Sequence, residues 1–253
     1  MYSVVLLGTG NLAQHLFEAF LPVKEIQIVQ VYGRNPEKLI RFQQHTNVCS
    51  DPMEIVDADI YIIAVKDDAI TAVAALLTSK KGIVAHTSGA VDMDAIALKN
   101  RGVFYPLQTF TKGKSLNFGH IPICIEAEQA ASVQMLKQLG GHISAKVVEI
   151  TSEQRKKLHL SAVFVNNFTN HLYQIGADIC EKEGLSFELL HPLILETAEK
   201  IQDISPFDAQ TGPARRGDTE SIKNHLGLLN DQKHVELYTL FSTAIKKAYE
   251  KKL

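Results

Sequence analysis

Short apolar runs alternate with amphipathic stretches over the first 150 residues of the chain. The runs are SVVLLG, IQIVQVYG, DIYIIAV, GIVAHTS, GVFYP, IPICIEA and AKVVEI. Near-continuous apolar runs of this length are typical of strands that are buried on both faces of a parallel sheet, with helices covering the sheet. The pattern predicts a doubly wound, mainly parallel α/β domain over residues 1–150.

The pattern changes after Ile150, where apolar positions follow the helical period. The segment from Ser152 to Gly184 reads as one long amphipathic helix, and further helices are expected over residues 187–202, over residues 219–226 and from residue 231 onward. We therefore predict an all-α domain over residues 151–253. Its stretch LSAVFVNNFTNHLY is apolar around much of the helix circumference, which requires several packing neighbours. A second copy of the chain is a natural neighbour, so a homodimer is expected.

The motif GTGNLA directly follows the first predicted strand and opens the first predicted helix. In this context Gly8 allows a tight turn, Gly10 lets a pyrophosphate approach the backbone, and Ala13 allows close packing of helix on strand. The alternative is an ordinary glycine turn between a strand and a helix. The motif predicts a Rossmann domain whose helix amides bind a dinucleotide. Its cofactor-binding residues are then Gly8, Thr9, Gly10, Asn11, Leu12 and Ala13.

The end of the second predicted strand indicates which dinucleotide binds. Sites that prefer NAD usually carry an acid about 20 residues beyond the glycines, whereas this chain has Gly33, Arg34 and Asn35 there. A guanidinium can bind the 2′-phosphate of NADP through two hydrogen bonds, and a carboxylate would repel it. The alternative is that Arg34 is simply exposed beside a helix that Asn35 caps. The prediction is NADP.

Polar residues follow the predicted strands DIYIIAV and GIVAHTS. Because ligands lie beyond the carboxyl ends of the strands in a doubly wound sheet, Val65 and Lys66 are expected to contact the cofactor. By the same rule His86 and Ser88 lie on the nicotinamide side. His86 could transfer a proton, and Ser88 could hydrogen-bond a substrate carbonyl. Alternatively, Ser88 forms a turn and His86 binds backbone groups at the strand end.

Charge and cysteine content limit the classes of partner. The chain has 26 Lys and Arg residues against 28 Asp and Glu residues, so no overall basic field would attract nucleic acid or an anionic membrane. The three cysteines are far apart, and no metal-ligand spacing occurs. We find no leader pattern and no apolar run that approaches the length of a membrane span. These features predict a cytoplasmic protein without a metal, whose partners are small molecules or another copy.

Five segments carry a resemblance to a known family: LLGTGNLAQHL, AVKDDAI, AHTSGA, YPLQTF and TGPARRGD, in that order. Together they resemble the bacterial Rossmann-like proteins with a helical C-terminal domain of unassigned function, which are described as NADP oxidoreductases. That family resembles pyrroline-5-carboxylate reductase and lies in the 6-phosphogluconate dehydrogenase-like superfamily. The resemblance covers essentially the whole chain. It implies an NADP-dependent enzyme in which the helical domains of two copies pair.

The chain departs from the better-understood members of that superfamily at one catalytic position. The β-hydroxyacid dehydrogenases place a lysine one turn before an asparagine on the first long helix of the second domain. Asn167 matches the asparagine, but Val163 stands one turn earlier. On a regular α-helix, His159 shares a face with Val163, Asn166 and Asn170. His159 could therefore replace the lysine as the acid, or it could be a buried histidine bonded to Asn166 or a backbone carbonyl.

The segment TGPARRGD holds two adjacent arginines. Pro213, the glycines and a capping Asp218 are typical of a connection between helices, in which both arginines would be exposed. The family resemblance instead implies a loop that faces the nucleotide-binding domain, either of its own chain or of a partner subunit. There the amides around Gly212 and the guanidinium of Arg215 or Arg216 could bind a substrate carboxylate. The family pattern favours Arg216, although spacing alone does not rank the two.

Two functions fit these features. The first is an NADP-dependent oxidoreductase that transfers hydride to or from a small carbonyl or imine substrate, which carries a carboxylate if the arginine loop binds it. The second is a non-catalytic NADP-binding sensor or interaction protein that keeps the fold but lacks the superfamily's lysine. The sequence does not name the substrate.

Overall fold

The computed structural model describes residues 1–250 of the chain. The chain divides into two compact units, one spanning Met1–Phe164 and the other beginning at Val165. The domain boundary expected from the sequence lies after residue 150. The helix that follows residue 150 belongs to the first unit because it packs on the sheet through Arg155, whose side chain is fully buried.

The first unit is built on one eight-stranded sheet. Its strands are β1 (Tyr2–Leu7), β2 (Ile26–Tyr32), β3 (Asn47–Cys49), β4 (Ile60–Ile63), β5 (Ile83–His86), β6 (Arg101–Pro106), β7 (Ile123–Ala127) and β8 (Val147–Glu149). They lie in the order β3-β2-β1-β4-β5-β6-β7-β8, and every neighbouring pair is parallel except β6 with β7. The prediction of a doubly wound, mainly parallel sheet is confirmed. Strand β3 escapes sequence prediction because three residues carry no recognisable period.

Four α-helices precede residue 150 in this unit: α1 (Asn11–Phe20), α2 (Pro36–Leu39), α3 (Ile70–Ala75) and α4 (Ala130–Gly141). Successive strand residues point to opposite faces, and each face carries its own core. On β4, Ile60 and Ile62 pack into one cluster with Phe104, whereas Tyr61 and Ile63 pack into the other. All five side chains are fully buried. Burial on both faces explains the unbroken apolar run IYII.

The long helical segment after the sheet is not one regular α-helix. It consists of α5 (Ser152–Ala162), a π-helical segment (Val163–Phe168) and α6 (Thr169–Lys182). Because a π-helix bonds residue i to residue i+5, its side chains do not follow the 3.6-residue period. The regular α-helical spacing expected for His159, Asn166 and Asn170 is therefore wrong over this segment.

The second unit is helical, as predicted. After α6 come α7 (His191–Lys200), α8 (Pro206–Ala209), α9 (Pro213–Arg216), α10 (Thr219–Leu228) and α11 (Gln232–Glu250). The segment TGPARRGD, expected as a connection or loop, contains one helical turn, α9, and Pro213 suits the first position of that turn. Among the helices of residues 1–250, none is both long enough and apolar enough to cross a membrane.

Candidate functional site

A cavity of about 790 Å³ opens at the carboxyl ends of β1, β2 and β4. Strand order creates it, because β1 lies between β2 and β4. Its volume lies within the range of about 300–1,000 Å³ that is typical of small-molecule and cofactor sites. The predicted cofactor-binding residues that line it are Gly8, Thr9, Gly10, Asn11, Leu12, Gly33, Arg34, Asn35, Val65 and Lys66.

The N-terminus of α1 forms one wall of this cavity. Gly10 precedes the helix, no side chain of residues 1–250 caps its first amides, and its first turn has no acidic residue. A β-carbon added to Gly10 would meet nothing within 4 Å, so the backbone is open to an incoming group. Free amides and open space are what a pyrophosphate requires, and the residues present fit a dinucleotide. Ala13 is instead fully buried in the core, where its small side chain allows close packing.

Gly8 shapes the turn before α1. Its φ is +130°, a conformation that residues with a β-carbon rarely adopt. A β-carbon at Gly8 would also lie 2.1 Å from the carbonyl oxygen of Ala64, at the end of β4. The fold therefore requires glycine at position 8, whereas at position 10 the protein itself leaves room for a side chain.

Two basic side chains line the cavity near the end of β2. Arg34 is exposed there, and Lys38 follows one helical turn later on α2. Neither forms an ion pair within residues 1–250, so both charges are available to a phosphate. Asn35 caps α2, accepting a hydrogen bond from the amide of Glu37 at 2.9 Å. Sequence reasoning missed Lys38, although its four-residue spacing from Arg34 is a usable signal.

A smaller recess of about 290 Å³ adjoins the cavity and shares the glycine loop with it. Lys38, Arg41 and Lys112 line it, and none of its lining residues is a carboxylate. Positively charged side chains therefore lie around the glycine loop, in addition to Arg34. Such a field suits the additional phosphate of NADP better than the ribose hydroxyls of NAD.

His86 is enclosed by the protein rather than presented to a ligand. It is fully buried, and its Nδ1 accepts a hydrogen bond from the amide of Ser88 at 3.2 Å. The ring proton is then on Nε2, which donates to the carbonyl oxygen of Asp92 at 3.3 Å. Burial, and next the charge of Arg155, lowers the pKa of His86 to about 4. This geometry favours the structural alternative for His86, and its proton-transfer role stays a prediction.

Ser88 forms a turn directly after β5. Its Oγ accepts hydrogen bonds from the amides of Ala90 and Val91, both at 3.1 Å. These two bonds fold the chain back after the strand, as serine side chains commonly do in turns. The turn role expected in the alternative interpretation is therefore present, and a substrate contact by Ser88 stays a prediction.

His159 lies on α5 and contacts a residue that the sequence did not single out. Its Nδ1 lies 3.0 Å from the hydroxyl of Tyr105, at the end of β6, and the two rings meet edge to face. Burial is the main cause that raises the pKa of Tyr105 to about 12. The imidazole is half-buried, and its Nε2 has no hydrogen-bond partner in the first unit. The sequence does hold one signal for Tyr105, because a phenol at the carboxyl end of the apolar run GVFYP places a polar group where ligands bind in a doubly wound sheet.

The first turn of α5 holds the loop that follows β5. Arg155 forms an ion pair with Glu126 of β7 and donates to the carbonyl oxygen of Val91 at 2.5 Å. Lys156 binds the carboxylate of Asp92 at 2.7 Å. The loop that contains Ser88 is thereby fixed to the same helix that carries His159.

Asn167 lies at an exposed position in the π-helical segment. It belongs to the second unit, whereas His159 belongs to the first. The two residues predicted from the superfamily comparison thus lie in different units. The catalytic role of Asn167 stays a prediction.

The structure separates the two adjacent arginines of the second unit. Arg215 donates to the carbonyl oxygens of Gln210 and of Asp208, the latter at 3.2 Å, and its guanidinium lies 5.1 Å from the ring centre of Tyr249. Arg216 is exposed, and no hydrogen bond or ion pair engages its side chain within residues 165–250. Arg215 is thus engaged within the unit, whereas the Arg216 side chain has no hydrogen bond or ion pair there. A substrate contact by either arginine stays a prediction. The amide of Gly212 precedes this turn.

Two family profiles match the chain. Residues 3–88 match the family described as NADP oxidoreductase coenzyme F420-dependent. Residues 121–245 match DUF2520, a domain of unknown function. No curated protein matches the chain.

Solved structures resemble the chain along its whole length. A protein from Bacteroides fragilis, which carries a provisional assignment as an NADP oxidoreductase, is 38% identical over 97% of this chain and 98% of its own, with a TM-score of 0.89. An imine reductase from Myxococcus stipitatus in complex with NADP+ is 12% identical over 99% and 95% of the two chains, with a TM-score of 0.68. A reductive aminase from Aspergillus terreus is 16% identical. The match covers 98% of this chain and 94% of the aminase, with a TM-score of 0.65. The two reductases show likeness of fold alone.

The basic lining predicts how the chain distinguishes the two nicotinamide cofactors. Replacing Arg34 by alanine should weaken NADPH binding by about 1.5–3 kcal/mol, the range for hydrogen bonds to charged groups, which is about 10- to 150-fold in Kd. NADH, which lacks the 2′-phosphate, should bind almost unchanged. Fluorescence titration of both cofactors measures this difference, and equal losses for the two would contradict the assignment.

Gly10→Val supplies the control for the phosphate-binding wall. Because the protein leaves open space around Gly10, the variant should fold with an unchanged melting temperature. The added side chain should nevertheless occupy the pyrophosphate's position and abolish binding of both cofactors. A variant that folds normally and still binds NADPH would show that the dinucleotide lies elsewhere.

Proposed function

The chain belongs to the family of Rossmann-type NADP oxidoreductases with a helical C-terminal domain of unknown function, and we propose that it transfers hydride to or from a small imine or carbonyl substrate. NADP is the cofactor of this family, as the sequence predicts. When bound, the reduced nicotinamide supplies hydride to the substrate carbon. The open helix amides and the basic side chains of the cavity support this role for the first unit.

The observation that carries the proposal is the oriented imidazole of His159. Reduction of a C=N or C=O bond requires a proton at nitrogen or oxygen in addition to hydride at carbon. Histidine is the side chain that most often supplies it. His159 is held at Nδ1 by Tyr105 and leaves Nε2 for a substrate. It thus provides a donor in a chain that lacks the superfamily's lysine.

Two solved relatives indicate which compounds to test first. One is an imine reductase in complex with NADP+, and the other is a reductive aminase in complex with NADPH and ethyl levulinate. A similar fold does not establish that this chain acts on the same substrate. It does support a panel of cyclic imines, ketones and keto acids, with and without an added amine.

The decisive experiment is NADPH oxidation by the purified protein across this panel. We expect consumption of NADPH with at least one member, and a loss of kcat on the order of 10²–10⁴-fold in His159→Asn, the range for removal of a general acid. Cofactor affinity should be unchanged in that variant. NADPH binding without oxidation by any member would favour the alternative, a non-catalytic NADP-binding sensor.

We also propose that the substrate is anionic and that Arg216 binds its carboxylate. The proposal is supported by the exposed guanidinium of Arg216, which has no hydrogen bond or ion pair in residues 165–250, although the charge of Asp218 lies nearby. Planar guanidinium groups bind carboxylates through paired hydrogen bonds, which position a substrate as well as attract it. The adjacent Arg215 is less suited to this role because its Nη1 already donates to two backbone carbonyl oxygens and its guanidinium packs over the ring of Tyr249.

The arginine pair offers a matched test. Arg216→Ala should raise the KM for carboxylate-bearing members of the panel by about 10- to 150-fold, while NADPH affinity and the melting temperature stay unchanged. Arg215→Ala should instead lower the melting temperature, because it removes backbone hydrogen bonds and the contact with Tyr249. Loss of stability in Arg216→Ala would count against a substrate role.

The helical unit supports a proposal of homodimerisation. Within residues 165–250, Ala209 and Ala214 are the only buried residues, and α6, α7, α10 and α11 each bury none. Apolar side chains that are more than half exposed include Val165, Leu189, Leu193, Leu195, Leu228 and Leu240. A monomer rarely leaves so much apolar surface in water. A second copy is the proposed partner, since most soluble oligomers are symmetric homo-oligomers.

Light scattering at micromolar concentration should give the mass of a dimer, and the melting temperature should rise with protein concentration, because association stabilises the folded state by mass action. Leu193→Glu should reduce the mass to that of a monomer. Met53→Glu, a control at a still more exposed apolar residue of the first unit, should leave it unchanged. A wild-type monomer at this concentration would rule out the dimer.

A further inference from the structure

Three segments that are distant in the sequence converge on one contact. Gly89 comes from the loop after β5, Tyr105 from the end of β6, and His159 from α5. The Tyr105 hydroxyl lies 3.0 Å from His159 Nδ1. Gly89 is buried directly against this pair. The contact therefore lies inside the first unit and is enclosed on one side by backbone.

Gly89 is glycine because of this contact. A β-carbon there would lie 2.6 Å from His159 Nδ1 and 2.7 Å from Cζ of Tyr105, closer than non-bonded atoms approach. Its φ is not positive, so sterics rather than backbone conformation explain the residue. The loop after β5 thus packs on the hydrogen bond itself and holds both rings in place.

The direction of this hydrogen bond follows from burial. Tyr105 is 8% exposed, and its hydroxyl has no hydrogen-bond partner in the first unit other than His159. A buried hydroxyl normally donates its proton to an available acceptor. Burial also keeps the phenol protonated, since it raises the pKa of Tyr105 to about 12. The phenol therefore donates to Nδ1 of the neutral imidazole, which leaves the ring proton on Nε2.

We propose that Tyr105 is the positioning residue of His159: it fixes the imidazole as the tautomer with its proton on Nε2, and it replaces that proton when the substrate takes it. This inference rests on the proposed reduction. As hydride forms the new C–H bond, the Nε2 proton passes to the substrate nitrogen or oxygen and the Tyr105 proton passes to Nδ1. The imidazole stays neutral throughout. Solvent then protonates Nε2, and the Nδ1 proton returns to the phenolate, which restores the starting tautomer.

The tautomer can be measured without a substrate. Histidine labelled with ¹⁵N reports through its ring shifts which nitrogen carries the proton, and loss of one pair of signals in His159→Asn identifies this residue. At a pH where the imidazole is neutral, the wild type should show protonated Nε2 and a hydrogen-bonded, unprotonated Nδ1. In Tyr105→Phe the two shifts should move toward each other, as expected for the tautomer mixture of a histidine in water. Unchanged shifts would overturn the proposal.

A matched control separates this effect from the general loss of a buried phenol. Tyr61 is also buried, and its hydroxyl bonds to the backbone of Val56 and Ala58. Tyr61→Phe should leave the His159 signals unchanged. Gly89→Ala, which keeps the phenol but displaces the imidazole, should shift the signals as Tyr105→Phe does. A response in the Tyr61 variant equal to that in the Tyr105 variant would overturn the proposal.

Turnover distinguishes this inference from the proposed function. With any substrate that the protein reduces, Tyr105→Phe should lower kcat at least 10-fold while KM and the Kd of NADPH stay unchanged. Altered ¹⁵N shifts with an unchanged kcat would overturn the proton-supply role. If no compound of the panel is reduced, the proposed function fails, and the ¹⁵N shifts still decide whether Tyr105 sets the tautomer.

Discussion

The ion pair between buried Arg155 and half-buried Glu126 is the interaction on which the contact between Tyr105 and His159 depends. Arg155 is fully buried on α5, and its guanidinium reaches both the carboxylate on β7 and the carbonyl oxygen of Val91. One charge pair thus joins a helix, a strand and the loop after β5. Loss of one partner in such a pair leaves an uncompensated charge in the interior and typically costs about 3–5 kcal/mol. His159 lies one turn beyond this anchor, which sets its distance from Tyr105.

The same anchor explains why two histidines at one edge of the sheet differ in chemistry. His86 is enclosed, both of its nitrogens are bonded, and the nearby positive charge of Arg155 adds to burial in keeping it neutral. His159 is only half-buried and is bonded at one nitrogen. A group that exchanges protons with a substrate needs a free nitrogen as well as a fixed ring. His159 has both a free nitrogen and a fixed ring. His86 has neither nitrogen free and instead helps to hold the loop after β5.

The two units differ in how much of their apolar surface a single chain buries. The sheet has a core on each face, so the positions of the predicted cofactor-binding residues follow from packing within the first unit. Over residues 165–250 the helical unit buries two alanines and exposes many apolar side chains. Amphipathic helices gain most of their stability from packing of their apolar faces, which this single chain provides only in part. Among its polar side chains, Arg215 already has partners within the unit and is therefore part of its packing.

The sequence by itself determined the doubly wound sheet, the glycine loop and the choice of NADP, because each depends on contiguous residues: an apolar run, a strand–turn–helix motif, a basic side chain at a strand end. Short or irregular elements were not predictable from the sequence. Strand β3 has too few residues to show a period, and the π-helical segment does not follow the 3.6-residue period. Only the tertiary structure decided that Tyr105 meets His159, 54 positions away, and that Arg215 is bound while Arg216 is free. The partner of a polar side chain is chosen by packing between distant segments, which local pattern does not encode.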